Sequence, residues 1–304
     1  MNKKARKRRT LRVLCIALAI LLVLNAAELV YSNRSISVSR YSVCSKKISS
    51  PLRLVFLSDL HCREFGRDNS GLLEKIAQQE PDLIALVGDI FSSDADEKEI
   101  DAMCGFIRSV AEIAPVYFGI GNQEHAHPGF QKDGVFDAHG SPLANRIEEA
   151  GAVILESEYL DLAINGNRIR LGGYMGYYRQ PGMFPASLKQ IRAELVFSND
   201  YEATERFKLL LNHIPTGWLD WKYVDKFPVD LVFSGHYHGG VVRIPIFEQG
   251  LFAPYVGWFP PYTKGLFSGK AATCVLSTGM AGSYGLPRFF NPPEICVVDI
   301  LPAE

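Results

Sequence analysis

The sequence has 304 residues, of which 47% are hydrophobic, 21% are charged and 11% are aromatic. This composition supports a large buried core and excludes a disordered, collagen-like or low-complexity protein. The formal net charge is -1, but seven Lys and Arg residues lie within positions 1–12, so 25 bases face 33 acids in the remaining chain. Such an acidic body excludes a nucleic-acid partner, because binding to backbone phosphates needs a basic face.

An apolar segment follows the basic stretch. Residues 13–24 have no polar side chain, and the segment is 19 residues long when counted to Tyr31. That length just reaches the roughly 20 residues needed to cross a bilayer, whereas the strictly apolar run has the length of a signal-peptide core. A cleavage after Ala27 would put Asn25 where a small residue is expected, which favours an uncleaved anchor over a cleaved signal peptide.

These features predict four regions along the chain. They are a basic cytoplasmic tail (1–12), a transmembrane signal-anchor (13–31), a juxtamembrane strand or linker (32–50) and one folded domain (51–304). Basic residues that precede a span stay on the cytoplasmic side. We therefore expect a single-pass protein of the cell membrane whose folded domain is extracytoplasmic. The six cysteines contain no C-x-x-C pair, so we expect buried free thiols.

Short apolar runs rich in β-branched residues predict the strands of the folded domain. Helical patterns separate the early runs, and Asn165-Gly166 marks a hairpin turn between two later ones. Alternating strands and helices followed by more strands predict an α/β (α+β) fold, in which two sheets form a β-sandwich flanked by helices. The predicted strands begin at Leu52, Leu83, Val116, Ala152, Leu160, Ile169, Phe207, Asp230, Thr273 and Ile295, and the predicted helices cover 70–79, 97–113 and 142–149.

Side chains that bind metals follow five of these strands at the point where each strand ends. In open α/β sheets the carboxyl ends of strands are where ligands gather, so we expect these residues to converge on one site. Four of the seven histidines belong to this set, and the other three lie in the loop after the third strand. Each motif is weak alone, but their ordered occurrence predicts a metal site. The set comprises Asp59, His61, Asp89, Asn122, His213, His236 and His238.

The order D-x-H, G-D, G-N, a lone His and G-H-x-H resembles the calcineurin-like metallophosphoesterase superfamily over about residues 50–300. The segments SDLH, PDLIALVGDI, SGHYHGG and YGLPRFFNPPE are similar to its membrane-associated bacterial branch. The resemblance implies a β-sandwich flanked by helices and a site for two metal ions. It implies that Asp59, His61 and His238 bind one ion, that Asn122, His213 and His236 bind the other, and that Asp89 bridges the two.

Such a site is chemically consistent with phosphate chemistry. Two divalent ions and two carboxylates leave a net charge of about +2 for a phosphoryl group inside an acidic protein. Mixed imidazole and oxygen ligands suit Mn, Fe or Zn better than Ca. Seven ligands over two ions also leave positions open for water and substrate, which is typical of a catalytic site.

One position departs from the family pattern. The family usually has a histidine after the Asn, which contacts the phosphate or protonates the leaving group, and this sequence has Gln123 there. An amide can donate a hydrogen bond but cannot deliver a proton. His125 and His127 are candidate substitutes, with surface-loop histidines as the simpler alternative. We therefore expect Asn122, Gln123, His125 and His213 to be the residues nearest the chemistry.

The predicted function is that of a membrane-anchored, dinuclear metal-dependent phosphoesterase that acts on a phosphodiester. A lipid-linked ester is one of the substrates that the sequence leaves open. The alternative, motivated by Gln123, is a catalytically weak or silent metal-containing surface module that binds phospholipid or cell-wall phosphate. Two aromatic loops, 172–185 and 244–267, either contact acyl chains and the membrane interface or simply cover the edge of the core. The sequence leaves the native metals, the natural substrate and the oligomeric state open.

Overall fold

The computed structural model describes residues 3–175, 200–254, 256–283 and 285–303. Its helices are α1 (Lys3–Arg34), α2 (Ser70–Ala77), α3 (Glu97–Ala111), α4 (Asn122–Ala126), α5 (Pro142–Glu149) and α6 (Thr216–Leu219). Its strands are β1 (Ser37–Ser45), β2 (Leu52–Leu57), β3 (Leu83–Val87), β4 (Val116–Gly119), β5 (Gln131–Lys132), β6 (Val135–Phe136), β7 (Ala152–Leu155), β8 (Glu158–Ile164), β9 (Asn167–Gly173), β10 (Phe207–Leu211), β11 (Leu231–Ser234), β12 (Arg243–Ile244), β13 (Gln249–Gly250), β14 (Phe252–Ala253), β15 (Gly257–Trp258), β16 (Gly265–Ser268), β17 (Thr273–Leu276) and β18 (Glu294–Pro302).

Two six-stranded sheets form the body. The first has the order β1-β18-β2-β3-β4-β7, in which β2, β3, β4 and β7 run parallel to one another. The second has the order β16-β17-β11-β10-β9-β8, in which β9, β10, β11 and β17 are parallel. The carboxyl ends of the parallel strands within each sheet therefore share one edge, which is where polar loops can meet.

The two sheets pack face to face. Successive side chains of a strand point to opposite faces of its sheet, so one set of apolar side chains fills the space between the sheets. Leu54 and Phe56 of β2 belong to the core between the sheets, where Phe56 stacks on Phe233 of β11 with ring centroids 4.5 Å apart. Val55 and Leu57 of the same strand belong to the core under α2, α3 and α5. A third apolar cluster covers the outer face of the second sheet. The predicted β-sandwich flanked by helices is confirmed.

Capping residues fix where the flanking helices begin. Asp96 accepts a hydrogen bond from Glu99 N, and the Glu99 carboxylate accepts one from Asp96 N, which forms a reciprocal capping box at the start of α3. Ser141 caps α5, and Pro142 occupies its first turn. The three predicted helices of the domain are therefore present, with ends within two residues of the predicted ones.

Helix α1 contains the apolar segment. Its portion from Arg6 to Arg34 is long and apolar enough to cross a membrane, because it contains an 18-residue window with a mean hydropathy of 2.6, none of which is buried. The following strand β1 pairs in parallel with β18 along its whole length, from Ser37 opposite Glu294 to Ser45 opposite Pro302. The juxtamembrane segment thus contains a strand of the first sheet, which ties α1 closely to the body.

Several elements were not predicted. The pair β16–β17 is antiparallel, and β16 lies in the region expected to be an aromatic loop, as do β12–β15. The predicted turn at Asn165-Gly166 is confirmed, because both residues have positive φ between the antiparallel strands β8 and β9. Of the cysteines, Cys62, Cys104, Cys274 and Cys296 are buried free thiols as predicted, whereas Cys44 is exposed. Most of the first aromatic loop lies outside the described residues.

Candidate metal centre

Five loops bring the predicted ligands together at the carboxyl ends of the central strands. The loops follow β2, β3 and β4 of the first sheet and β10 and β11 of the second. A cavity of about 420 Å³ opens at this edge and is lined by His61, Asp89, Asn122, His236 and His238, among other residues. The structure therefore places residues from both sheets around one space, as the sequence predicted.

The loops adopt unusual backbone conformations. Asp59, His61, Asp89, His236 and His238 all have left-handed φ values between 47° and 69°. This region is costly for residues with a Cβ, and such strain persists only where surrounding structure holds it. The concentration of these angles at five of the seven predicted ligands marks the loops as built for the orientation of their side chains rather than for local stability.

The first group consists of Asp59, His61 and His238, whose potential ligand atoms lie within 4.8 Å of one another. The rings of His61 and His238 are stacked with centroids 5.2 Å apart. His238 Nε2 lies 3.5 Å from Asp59 Oδ1, and Asp59 is fully buried. The set offers two imidazole nitrogens and a carboxylate, which is a donor set typical of Zn, Fe or Mn.

The second group consists of Asp89, His213 and His236 and satisfies the same 4.8 Å criterion. His213 Nε2 lies 3.1 Å from Asp89 Oδ2, and the rings of His213 and His236 meet edge to face at 5.2 Å. The two groups are adjacent, since His61 Nε2 lies 3.9 Å from Asp89 Oδ2. Asp89 is thus within reach of ligands from both groups, which is what the predicted bridging role requires.

Backbone carbonyl groups orient two of the histidines. The Nδ1 of His213 donates a hydrogen bond to Val87 O at 2.8 Å, and the Nδ1 of His238 donates to Ala281 O at 3.2 Å. A bond at Nδ1 leaves Nε2 as the atom that can bind a metal. Both Nε2 atoms lie within 4 Å of Asp59 Oδ1. The surrounding backbone therefore fixes which ring atoms face the centre.

Two further atoms test whether ions fit this site. Asn122 is the first residue of α4, and its Oδ1 is buried without a hydrogen-bond partner within the described part of the chain. His61 Nε2 is in the same situation. A buried polar atom without a partner is costly unless something else satisfies it. Because both are metal-ligand atoms beside carboxylates, the residues fit divalent ions well.

The carboxylates and histidines strongly perturb one another. Burial opposes ionisation of Asp59 and Asp89, yet the neighbouring histidines lower the pKa of both carboxyl groups. Burial disfavours the protonated form of His213, but the charge of Asp89 outweighs this effect and raises the pKa of the imidazole to about 10. Burial lowers the pKa of His236 to about 3 and that of His238 to about 4. A metal ion bound at His213 would replace the proton on that ring. Metal affinity should therefore fall as the pH is lowered.

Glu124 holds the loop that carries Asp89, a role that the sequence did not reveal. The fully buried carboxylate accepts hydrogen bonds from Asp89 N, Ile90 N and Phe91 N at 2.7 to 3.0 Å, and from Gly121 N at 2.9 Å. Burial, together with the charge of Asp89, raises the pKa of Glu124 to about 7. Its position in the Gly121–Glu124 motif was the available signal, but three of its four backbone partners are 33 to 35 residues away in sequence.

Two glycines let the loops approach one another. Gly88 has φ of 71°, and a Cβ there would come within 2.7 Å of the His213 ring. Gly279 has φ of 70°, and a Cβ there would lie 2.7 Å from Asp59 Oδ2. Side chains at either position would therefore displace a predicted ligand.

The family model for calcineurin-like phosphoesterases matches residues 52–240, which is more than half of the chain. The chain belongs to this family. It is a metal-dependent phosphohydrolase, and the matched segment contains all seven predicted ligands.

Several curated proteins are similar to this phosphoesterase. YaeI of Escherichia coli (strain K12), named a phosphodiesterase, is 27% identical and the alignment covers 84% of each chain. YkuE of Bacillus subtilis (strain 168), an uncharacterized metallophosphoesterase, is 25% identical over 81% of this chain and 77% of its own. LpxG of Chlamydia muridarum, named a UDP-2,3-diacylglucosamine pyrophosphatase, is 23% identical over 82% of this chain and 84% of its own.

The position that departs from the family pattern lies at the cavity. Gln123 lines it together with Asn122, and its Oε1 accepts a hydrogen bond from Ser93 N at 2.9 Å. The backbone N of Gln123 donates to Asp89 Oδ1 at 2.8 Å. The side-chain amide nitrogen is therefore the end that can donate to a bound phosphate. It cannot supply a proton to a leaving group.

The two histidines proposed as substitute acids do not line this cavity. His125 stacks on Phe136 with ring centroids 4.5 Å apart, and burial lowers its pKa. His127 is buried, accepts a hydrogen bond from Gly129 N at Nδ1 and places its Nε2 3.3 Å from Ala95 O. Both ring nitrogens of His127 are thus engaged. The geometry therefore gives no support to either histidine as the proton donor.

Proposed function

We propose that this phosphohydrolase is a membrane-anchored, dinuclear phosphodiesterase that acts on lipid-linked esters. The observation that supports it best is the pair of ligand groups, Asp59-His61-His238 and Asp89-His213-His236, which face one cavity from two sheets. Phosphodiester hydrolysis by two-metal sites requires ligands for two nearby ions around a common opening. The silent surface module is disfavoured, because the ligand set that chemistry needs is complete.

The proposed ligand assignment is the one that the family resemblance implies, and the two groups support it. Asp59, His61 and His238 would hold one ion, Asn122, His213 and His236 the other, and Asp89 both. We propose Mn, Fe or Zn, because nitrogen and oxygen donors are mixed in each group. When bound, two such ions supply a water of lowered pKa and positive charge for the phosphoryl oxygens. Oxygen-only ions such as Ca would match these histidine-rich groups poorly.

The chain's own residues would then bind and orient the ester. Asn122 and Gln123 lie side by side at the start of α4, and both line the cavity. The amide of Gln123 would donate to a phosphoryl oxygen while its Oε1 stays bonded to Ser93 N. The fixed Oε1 restrains this side chain, which favours positioning over proton transfer.

The anchoring part of the proposal concerns the first 50 residues. We propose that residues 1–12 are a cytoplasmic tail, that 13–31 cross the membrane as an uncleaved signal-anchor and that the body of 51–304 lies outside the cytoplasm. Support comes from the length and hydropathy of α1 and from the basic residues before it. A lipid-linked ester is further suggested by LpxG, which is named for a diacylated substrate.

Turnover of two nitrophenyl esters by the full chain in detergent tests the catalytic part. With a panel of Mn, Fe and Zn, bis(p-nitrophenyl) phosphate should be hydrolysed faster than p-nitrophenyl phosphate. Asp89→Asn should reduce that activity by more than about 100-fold, since loss of support around a metal already costs 10- to 100-fold. Asp133→Asn is the matched control, because Asp133 is exposed and has the same left-handed φ as Asp89.

The result that would overturn the proposal is a diester activity that does not depend on added metal or that survives Asp89→Asn. Faster turnover of the monoester would replace the phosphodiesterase by a phosphatase. Loss of activity in Asp133→Asn as well would show that the assay reports general damage rather than the metal centre.

A further inference from the structure

Six large apolar side chains stand exposed on loops that follow the metal-binding loops. Ile246 is 86% exposed and Phe247 is 74% exposed, in the turn between β12 and β13. We call the whole set the apolar rim. It consists of Ile246, Phe247, Trp258, Phe259, Leu286 and Phe290, all of them more than a third exposed. Contiguous exposed apolar surface usually marks an interaction site.

The loops of the apolar rim are joined to one another through the backbone. Arg243 N donates to Phe289 O at 2.9 Å, which places the β12–β13 turn beside the segment that carries Phe290. Leu251 N donates to Val242 O, and Phe259 N donates to Leu251 O, both at 2.8 Å. The rim residues are thus distributed over neighbouring loops of one region rather than scattered over the body.

This region is attached to the end of the membrane helix. Phe290 N donates to Glu28 Oε1 at 3.0 Å, and Asn291 N donates to Ser32 Oγ at 3.1 Å. Both acceptors lie in the last two turns of α1. The apolar rim is therefore connected through Phe290 to the place where α1 joins the body, which is where the bilayer surface must be if α1 crosses the membrane.

Basic side chains lie on another side of the same junction. A second cavity, of about 710 Å³, is lined by Arg34, Arg63 and Lys75, with Glu64 as the acid among them. Arg63 donates to Asn33 O and to Met280 O, so this cavity is directly connected to the end of α1. The local excess of cations in an acidic body suits the anionic headgroups of a bilayer.

The cavity of the metal centre opens through the same loops. Pro254, Ser283 and Gly285 line it opposite the predicted ligands. Pro254 lies between the rim residues of 246–247 and 258–259, and Ser283 pairs with the rim residue Leu286. An ester group held at the bilayer surface could therefore reach the metal centre without leaving the membrane.

We infer that the apolar rim inserts into the bilayer interface around α1 and holds the mouth of the metal-centre cavity against lipid headgroups. The inference rests on the membrane anchoring in the proposed function. The occupant of the rim is a lipid bilayer, because the rim is continuous with the end of a helix built to cross one. Amphipathic surfaces of this kind bind interfaces through buried apolar area together with attraction to anionic lipid.

Trp258 provides a direct probe of insertion. The full chain is reconstituted in nanodiscs that contain either ordinary or brominated phosphatidylcholine with an anionic phospholipid, and tryptophan emission is compared. Bromine should quench part of the emission, and Trp258→Phe should abolish that part, because the other two tryptophans lie outside the rim, Trp218 buried and Trp221 half-buried. Absence of quenching, or quenching that persists in Trp258→Phe, would overturn the insertion of the rim.

Kinetic measurements test whether insertion of the rim speeds hydrolysis of esters embedded in the membrane. In the same nanodiscs, the double variant Ile246→Ser/Phe247→Ser should hydrolyse embedded hexadecyl p-nitrophenyl phosphate about tenfold more slowly than wild type. The reason is that it buries less apolar area in the bilayer. Its rate on soluble bis(p-nitrophenyl) phosphate should stay unchanged. Val153→Ser/Leu160→Ser, which alters exposed apolar side chains outside the rim, should change neither rate.

Failure of the rim inference and failure of the proposed function give different results. Equal losses on both esters, or the same selective loss in the control variant, would overturn the role of the rim. If wild type hydrolyses neither ester, the proposed function fails, while quenching of Trp258 still decides whether the rim inserts.

Discussion

Gln123 is the side chain at which this phosphoesterase departs from the pattern of its family. Its Oε1 accepts from Ser93 N, and its backbone N donates to Asp89, so it is held at the cavity in a fixed orientation. A side chain held in this way suits hydrogen bonding to a phosphoryl group. Because it cannot give a proton, the leaving group of the substrate must depart without help from this position.

Gln123→His tests this interpretation. If a missing proton donor limits the rate, the variant should increase turnover of alkyl phosphodiesters by up to about 10²- to 10⁴-fold, which is the usual contribution of general acid catalysis. Nitrophenyl esters should change little, because nitrophenolate leaves without protonation. Steady-state rates on a matched pair of alkyl and nitrophenyl diesters provide the measurement.

Two further variants complete that comparison. Gln123→Ala, which removes the amide without adding an acid, should lower both rates together. His125→Ala should leave the ratio of the two rates unchanged, because its ring packs on Phe136 rather than lining the cavity. A selective loss on the alkyl ester in His125→Ala would instead identify His125 as the acid.

The candidate metal ligands were easier to identify from the sequence than the residue that supports them. Asp59, Asp89 and His213 stand directly after apolar strands, so the strand pattern located them and their grouping at one sheet edge. Glu124 stands in the same motif as Asn122, yet three of its four backbone partners come from the loop after β3, which only the folded chain brings near it. Nothing in local sequence indicates which buried carboxylate binds a metal and which binds backbone N–H groups.

At the level of elements, the end of α1 is bonded to the body by side chains. Asn33 Nδ2 donates to Arg288 O at 2.7 Å, and Arg288 N donates to Asn33 Oδ1 at 3.1 Å. Asn291, three residues on, donates from its side chain to His238 O at 2.8 Å. Helix α1, the segment 288–291 and the loop of a predicted ligand therefore form one connected structure.

Asn33→Ala should destabilise the body of the full chain in detergent. Besides one bond within α1 to Leu29 O, the variant loses two hydrogen bonds to Arg288 of the body, which together contribute roughly 1 to 3 kcal/mol. For a body of about 250 residues this corresponds to a fall in Tm of about 2 to 8 °C by calorimetry or tryptophan fluorescence. Asn25→Ala is the matched control, because Asn25 bonds only within α1, to Leu21 O, in what the structure describes of its contacts.

A body whose Tm is the same in Asn33→Ala, Asn25→Ala and wild type would show that the helix is a passive tether.

The sequence predicted α1 as an element but not this attachment. Glu28 was visible only as an acid in an apolar segment, and its partner Phe290 is 262 positions away. Long-range contacts of this kind leave no local pattern, as β16 also shows, since its pairing with β17 was not recognised among the surrounding aromatic residues.

For the whole molecule, the placement of the body relative to the membrane determines which substrates it meets. In the proposed orientation, the seven basic residues before the apolar segment keep the amino terminus in the cytoplasm, and the body lies outside. The acidic body would face an external surface, and local cations at the α1 junction would face the lipid. An inverted orientation would expose the same cavity to cytoplasmic esters instead.

Cys44 reports this orientation without any added residue. It is exposed on β1 of the body, whereas Cys62, Cys104, Cys274 and Cys296 are buried and Cys15 lies within the apolar segment of α1. A membrane-impermeant maleimide applied to intact cells should therefore label the wild-type chain. Cys44→Ser should abolish that labelling, and Cys15→Ser should not. Labelling of Cys44 only after the cells are permeabilised would place the body in the cytoplasm, because the thiol is equally accessible in either case and only the membrane would separate it from the reagent.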